Sequence, residues 1–183
     1  MTLMHRLRRL LSHWRDDTSG ATAIEGVLGS VAMIIWYALA YQITDAFRVR
    51  TANTKGAYTI ADAISRETAP VNAAYIEGLN KLFGFVTNAQ GDHWIRVTSV
   101  YWDAGLSSYR EDWSYATGGK TPHTDVTINR EADRIPTMPA GDTALVVETS
   151  MQYNPLFSIG LGAGSHQNFI VTRPRGPRVV WEF

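Results

Sequence analysis

One carboxylate at the mouth of an apolar run constrains this chain more than any other feature. Between Ala21 and Thr44 the sequence carries a single acidic or basic residue, Glu25, and the next is Asp45. Residues 24–43 read IEGVLGSVAMIIWYALAYQI, close to the length that crosses a bilayer as a helix. A carboxylate at the edge of such a segment costs roughly a few kcal/mol, so it needs a partner or a purpose. Trp36, Tyr37 and Tyr41 gather at one end of the run, as aromatic rings do at a membrane–water interface. Gly26, Gly29, Ser30 and Ala32 place small residues on the helix, which allows another helix to approach closely.

The charge distribution orients the segment. Overall, 17 basic side chains balance 17 acidic ones, so no global field points to nucleic acid. The first 20 residues hold Arg6, Arg8, Arg9 and Arg15 against Asp16 and Asp17, a net +2, and the remainder carries −2. Basic residues ahead of an apolar span keep that end cytoplasmic, so the bulk of the chain is expected outside. Arg8-Arg9 stands about fifteen residues before the apolar run, too far for a twin-arginine export signal. Cysteine is absent, which excludes disulfides, thiolate metal sites and thiol catalysis. Six Trp, eight Tyr and six Phe supply the apolar material instead, and a core held by aromatic packing is expected.

Beyond the apolar run no Gly or Pro intervenes until Gly56, so the helix is expected to continue past the bilayer. Ala57, Ile60, Ala61 and Ile64 recur at helical spacing and predict one buried face. Thr68 or Ala69 is the expected cap of a second helix, with Pro70 early in it. Its apolar stripe is read as Val71, Ala74, Tyr75, Gly78, Leu79, Leu82, Phe83 and Val86. After Asn88–Asp92 the period becomes two. Trp94–Trp102, the alternation Tyr109/Glu111/Trp113/Tyr115, Ala144–Tyr153, Asn168–Arg173 and Val179–Phe183 read as strand-like. Ala116–Asp142 reads as loop with one helical turn near Asn129–Arg134. Helices first and antiparallel strands afterwards predict an α+β domain.

Motifs for catalysis are missing. Gly119-Lys120-Thr121 has the tail of a phosphate-binding loop, but Ser114 stands where the motif needs Gly. Gly160-Leu161-Gly162-Ala163-Gly164 lacks the spacing of a dinucleotide fingerprint and precedes a strand. The five histidines are scattered without ligand spacing; Asp92-His93 and His123/Asp125 would meet at a metal only through tertiary structure. No G-x-S-x-G is present. Arg173, Arg175 and Arg178, with Pro174 and Pro177, read as a stiff edge-strand breaker with solvated charges. No enzyme, cofactor or metal site is expected.

Ser19-Gly20-Ala21-Thr22-Ala23-Ile24-Glu25 resembles the prepilin start of TadE/TadF-type minor pseudopilins from tight-adherence (Flp, type IVc) pilus systems. Pro139–Glu148 and then Tyr153-Asn154-Pro155-Leu156-Phe157 resemble that family's C-terminal strand and "Y-x-P-L-F" block, and Arg173-Pro174-Arg175 is similar too. Residues 70–135 carry no such likeness. Major Flp pilins are far shorter and have Tyr after the Glu, where this chain has Gly26. The resemblance implies cleavage between Gly20 and Ala21 by a partner prepilin peptidase, leaving Glu25 as the fifth residue. It also implies that Glu25 pairs with the new amine of a neighbouring pilin in the inner-membrane assembly platform, since two ions costly in lipid are less so together.

The expected architecture is α+β and pilin-like: a long N-terminal helix, its first half in the membrane, and a second helix packed on a C-terminal antiparallel sheet. Residues 1–20 form the cytoplasmic leader, 21–43 the transmembrane helix and 44–183 an extracytoplasmic domain. The expected role is assembly, initiation or anchoring of the pilus, with the membrane, the peptidase and other pilins as partners and no nucleic acid. Two other classes stay open: a membrane-anchored or secreted binding and adhesion module, which exposed Trp94, Trp102 or Trp113 would favour, and a periplasmic enzyme. Ala38-Leu39-Ala40 offers a second processing route, signal-peptidase cleavage ahead of Tyr41.

Overall fold

The computed structural model describes residues 3–16, 20–157 and 160–182. The chain divides into two compact units, Met1–Ile43 and Thr44–Phe183. The first holds α1 (Leu3–Asp16) and the start of α2 (Ala21–Ser65). The second holds the rest of α2, α3 (Ala73–Thr87), β1 (His93–Asp103), β2 (Ser108–Ala116), α4 (Asp125–Asn129), β3 (Thr143–Tyr153) and β4 (Gly164–Thr172). A short 3₁₀ turn at Ala132–Arg134 follows α4. The four strands form one antiparallel sheet in the order β2-β1-β3-β4, so the fold is α+β with a long N-terminal helix, as expected.

Two cores sandwich the sheet. On the inner face Ala57, Ile60, Ala61 and Ile64 of α2 join Ile76, Leu79 and Phe83 of α3 over Ile95, Val97, Leu145, Val147 and Met151. The four α2 residues are the helical stripe read from the sequence, and each is buried. At about 1.5–3 kcal/mol per fully buried large aliphatic side chain, this seam is a major source of stability for the second unit. On the outer face Val100, Ala144 and Val146 are covered by Ile128, Ile135 and Met138 from the α4 region.

The second helix starts later than the sequence suggested. Its cap is Asn72, whose side chain accepts from the Tyr75 N–H, and Pro70 lies outside it. The cause is Val71, which is held extended: its N–H donates to Val180 O, and Glu182 N–H donates to its carbonyl. This single parallel bridge to Trp181 takes the place of a terminal strand, and Phe183 lies outside the described residues. The buried stripe is also rotated. Ile76, Leu79, Phe83 and Thr87 face inward, while Ala74, Gly78, Leu82 and Val86 are exposed. Apolar residues occupy a wide arc of this helix, so periodicity alone leaves its facing open.

A β-bulge divides the aromatic alternation of β2. Ser99 pairs with Trp113 but Val100 pairs with Glu111, so Asp112 is the extra residue. Parity therefore switches. Trp113 enters the inner core, whereas Tyr109 enters the outer one. There its hydroxyl donates to the carbonyls of Ile135 and Pro136. Trp113 Nε1–H donates to Val179 O at 2.9 Å, and its ring meets Trp181 at 5.2 Å between centroids.

α2 and α3 approach closely at Gly56. A Cβ there would stand 2.5 Å from Thr87 Cγ2 and 3.2 Å from the Phe83 ring. Phe83 is fully buried and Thr87 is tied to the Phe83 carbonyl, so neither can move aside cheaply. Gly56→Val is expected to lower unfolding free energy by about 2 kcal/mol through overpacking. Denaturant unfolding of the two proteins measures it, and an unchanged midpoint would contradict the close contact.

Candidate functional site

The described part of α1 ends at Asp16, and α2 begins at Ala21. Gly20 lies in a turn and is exposed, and Ala21 is the first residue of α2. The Gly20 carbonyl accepts from the Ile24 N–H at 3.1 Å, so the expected scissile peptide sits at the very start of the helix. Ser19 lies outside the described residues. Glu25 is exposed one turn further on, about 6 Å along the axis from Ala21. Among the described residues no cation pairs with it. The structure thus places Gly20, Ala21 and Glu25 within one helical turn and a half.

From Ile24 to Tyr37 the helix surface is largely apolar and exposed. Met33, Ile34, Trp36 and Tyr37 are each 67–71% exposed. An 18-residue window of α2 reaches mean hydropathy 1.7 with none of it buried. The Ser30 hydroxyl donates to the Val27 carbonyl at 2.8 Å, so this polar group is satisfied within its own helix. Gly26 and Gly29 have nothing within 4 Å of a built Cβ, leaving a small-residue surface open to a neighbour. α2 is long and apolar enough to span a membrane, consistent with single-pass anchoring. A surface so continuously apolar is unfavourable in water and marks a site of insertion or association.

The tryptophans of the second unit are not displayed as an exposed aromatic array. Trp113 is buried; Trp94 and Trp102 are half-buried. Trp102 packs edge-on against Tyr109 at 4.9 Å, and Trp94 has the Arg96 and Lys120 cations 5.8 and 5.9 Å from its ring centroid. Gly118 and Gly119 adopt positive φ in the turn after β2, and α4 begins only at Asp125. The Gly119-Lys120-Thr121 segment therefore has no strand-to-helix phosphate loop around it.

Sequence reasoning missed one buried polar cluster on the outer face. Arg96 of β1 and Glu148 of β3 are register partners, and the guanidinium donates twice to the carboxylate, at 2.5 and 2.7 Å. Its remaining arm reaches the Thr121 carbonyl at 3.1 Å. His123 lies 2.8 Å from Glu148 through Nε2 and 2.9 Å from the Thr127 hydroxyl through Nδ1, which makes Nε2–H the donor to the carboxylate. Among the described residues no three His, Asp or Glu side chains converge on a metal position. The available signal was a charge inside each of two apolar, β-branched runs, WIRVTSV and VVETS, because a charge buried in a sheet needs a partner. Arg173, Arg175 and Arg178 are exposed but paired, with Asp142, Asp62 and Asp112 respectively.

Burial by itself would raise the Glu148 carboxyl, but the hydrogen bonds from His123 and Arg96 and the Arg96 charge outweigh it, holding the group down to about 2. The folded value lies below the unfolded one, near 4.5. The cluster's stabilisation is therefore fully present above pH ~4.5 and is lost as pH falls from there toward 2, on the order of 3 kcal/mol in all. Unfolding free energy followed between pH 7 and 2 should decline through that window in the native chain. Glu148→Gln should flatten this part of the profile and be less stable at pH 7, since Arg96 is left without its counter-charge. An unaltered profile in the variant would remove Glu148 from the acid response.

No protein-family model, curated protein or solved structure matches this chain.

Proposed function

We propose that this chain is a minor pseudopilin of a tight-adherence (Flp) type IV pilus, acting in assembly, initiation or anchoring. The observation that supports the reading is positional. The only carboxylate between Asp17 and Asp45 is Glu25, the fifth residue of a helix that begins at Ala21 directly after Gly20. In this reading residues 21–43 of α2 cross the bacterial inner membrane, with residues 1–20 cytoplasmic and the α+β unit, which includes the rest of α2, periplasmic.

The chain catalyses nothing; it is a substrate and then a building block. A partner prepilin peptidase hydrolyses the Gly20–Ala21 peptide, leaving an α-amine on Ala21 whose ordinary pKa of about 7.7–8.0 makes it largely cationic at neutral pH. Glu25 then pairs with the amine of an adjacent subunit within the assembly platform. Each ion alone is costly in lipid, and their pairing offsets part of that cost while fixing the axial register between two helices. The small residues Gly26, Gly29 and Ser30 lie next to the pair and permit the close helix approach that it requires.

Intact mass of the protein recovered from its native cells tests the processing step, with Ala21 as the expected N-terminus. Recovery beginning at Tyr41, or as the uncut chain, would overturn this reading in favour of a secreted or signal-anchored module. Glu25→Ala should still be cleaved yet lose co-isolation with the other pilins, with piliation reduced at least about tenfold, a coupling of ~1.4 kcal/mol or more. Normal pili in that strain would end the pairing model.

A further inference from the structure

The outer face of the sheet is covered at one end only. Over Val100, Ala144 and Val146 lie the residues of the α4 region, but at the opposite end the face opens into a groove of about 780 Å³. Its floor is a cross-strand row. Trp94 of β1 pairs in register with Ser150 of β3, which pairs with Gln167 of β4. One step further out Gln152 stands opposite Ser165. The wall is the turn after β2, where Gly118, at φ +61°, brings its backbone against Trp94, so a Cβ there would lie 3.1 Å from Trp94 Cβ. Lys120 follows, its ammonium 5.9 Å from the Trp94 ring centroid, and Asp92 faces the groove from just before β1.

The chemistry of this lining is selective. Beside His93, it offers one broad apolar ring, two primary amides and two hydroxyls, each amide or hydroxyl able both to donate and to accept. One cation and one carboxylate, Lys120 and Asp92, balance on the rim. Arg96 is committed to Glu148 and the Thr121 carbonyl. A phosphate-rich ligand would need a surplus of cations, which the groove lacks. An apolar ligand would need a mostly hydrophobic enclosure, and this groove is open and predominantly polar. What fits is a molecule whose every polar group is both donor and acceptor and that also presents a flat C–H face to an indole.

We propose that this groove is a binding site for a neutral glycan, with one hexopyranose ring resting against Trp94. Gln167, Gln152 and Ser150 take the ring hydroxyls, and Lys120 donates to a ring or glycosidic oxygen. The open groove admits an internal unit of a longer saccharide as well as a chain end. The site lies wholly within the second unit and does not depend on how the N-terminus is processed.

The test uses the full-length chain in a zwitterionic detergent without sugar headgroups. An array of neutral hexose and N-acetylhexosamine oligosaccharides, together with hexuronate oligosaccharides, selects a probe for calorimetric titration. The expected result is binding of a neutral oligosaccharide with Kd of about 1 mM or tighter, weakened about tenfold by Trp94→Ala and severalfold by Gln167→Ala, with Trp94→Phe retaining part of the affinity. Gln167 is exposed, so its variant reports on the site even if Trp94→Ala disturbs folding. Binding of none of the neutral saccharides at ~10 mM, binding of hexuronates alone, or native affinity in Gln167→Ala and Trp94→Phe together with Trp94→Ala would each overturn the proposal.

Discussion

The central strands β1 and β3 are buried on both faces, and that constraint governs the second unit. A strand with one wet face can place any polar residue outward; β1 and β3 have that freedom only at one end. Where the outer face is covered, its polar side chains must satisfy one another. Arg96 and Glu148 do so across the register, with His123 adding a third hydrogen bond to the carboxylate, and Thr98 does so with Ser114 at 2.8 Å. Where the cover stops, Trp94, Ser150 and Gln167 replace the aliphatic residues. Polarity along the outer face thus follows the extent of the α4 region.

The aromatic payload serves as mortar between elements that have no covalent cross-link. Asp112 is the hinge of this arrangement, because the bulge it creates sends Tyr109 and Trp113 to opposite faces of the same strand. Trp113 then meets the C-terminal segment through Val179 and Trp181, and Trp181 stacks on Tyr115 at 5.5 Å. The same segment bonds to Val71 and, through the Arg175 N–H, to the Ser65 carbonyl at the end of α2. One short, irregular stretch therefore ties the end of α2, the start of α3 and the edge strand β2. The arginine pairs that accompany it are exposed and contribute little by themselves.

The N-terminal unit obeys a different rule. Its helix buries nothing within its apolar window, so its stability in isolation rests on intrahelical hydrogen bonds, which suit a medium without water. A single carboxylate in that setting is costly, and no described residue of its own chain neutralises it. The division of the chain between residues 43 and 44 coincides with the return of charge at Asp45.

Local pattern determined much of this protein. The apolar run, its lone Glu25, the Ala57/Ile60/Ala61/Ile64 stripe and the order of helices and strands are readable from neighbours within about two helical turns or a few alternating positions, where periodicity is imposed by backbone geometry. Tertiary structure alone decided the rest. Val71 is extended because Val180 and Glu182 bond to it from more than a hundred residues away, which delays α3 to Asn72. The face α3 buries is set by the fit of Phe83 and Thr87 against Gly56. The bulge at Asp112, the pairing of Arg96 with Glu148 and the uncovered row at Trp94 exist only once register is fixed. Their physical causes are complementary shape and charge between distant segments, and no local propensity encodes those.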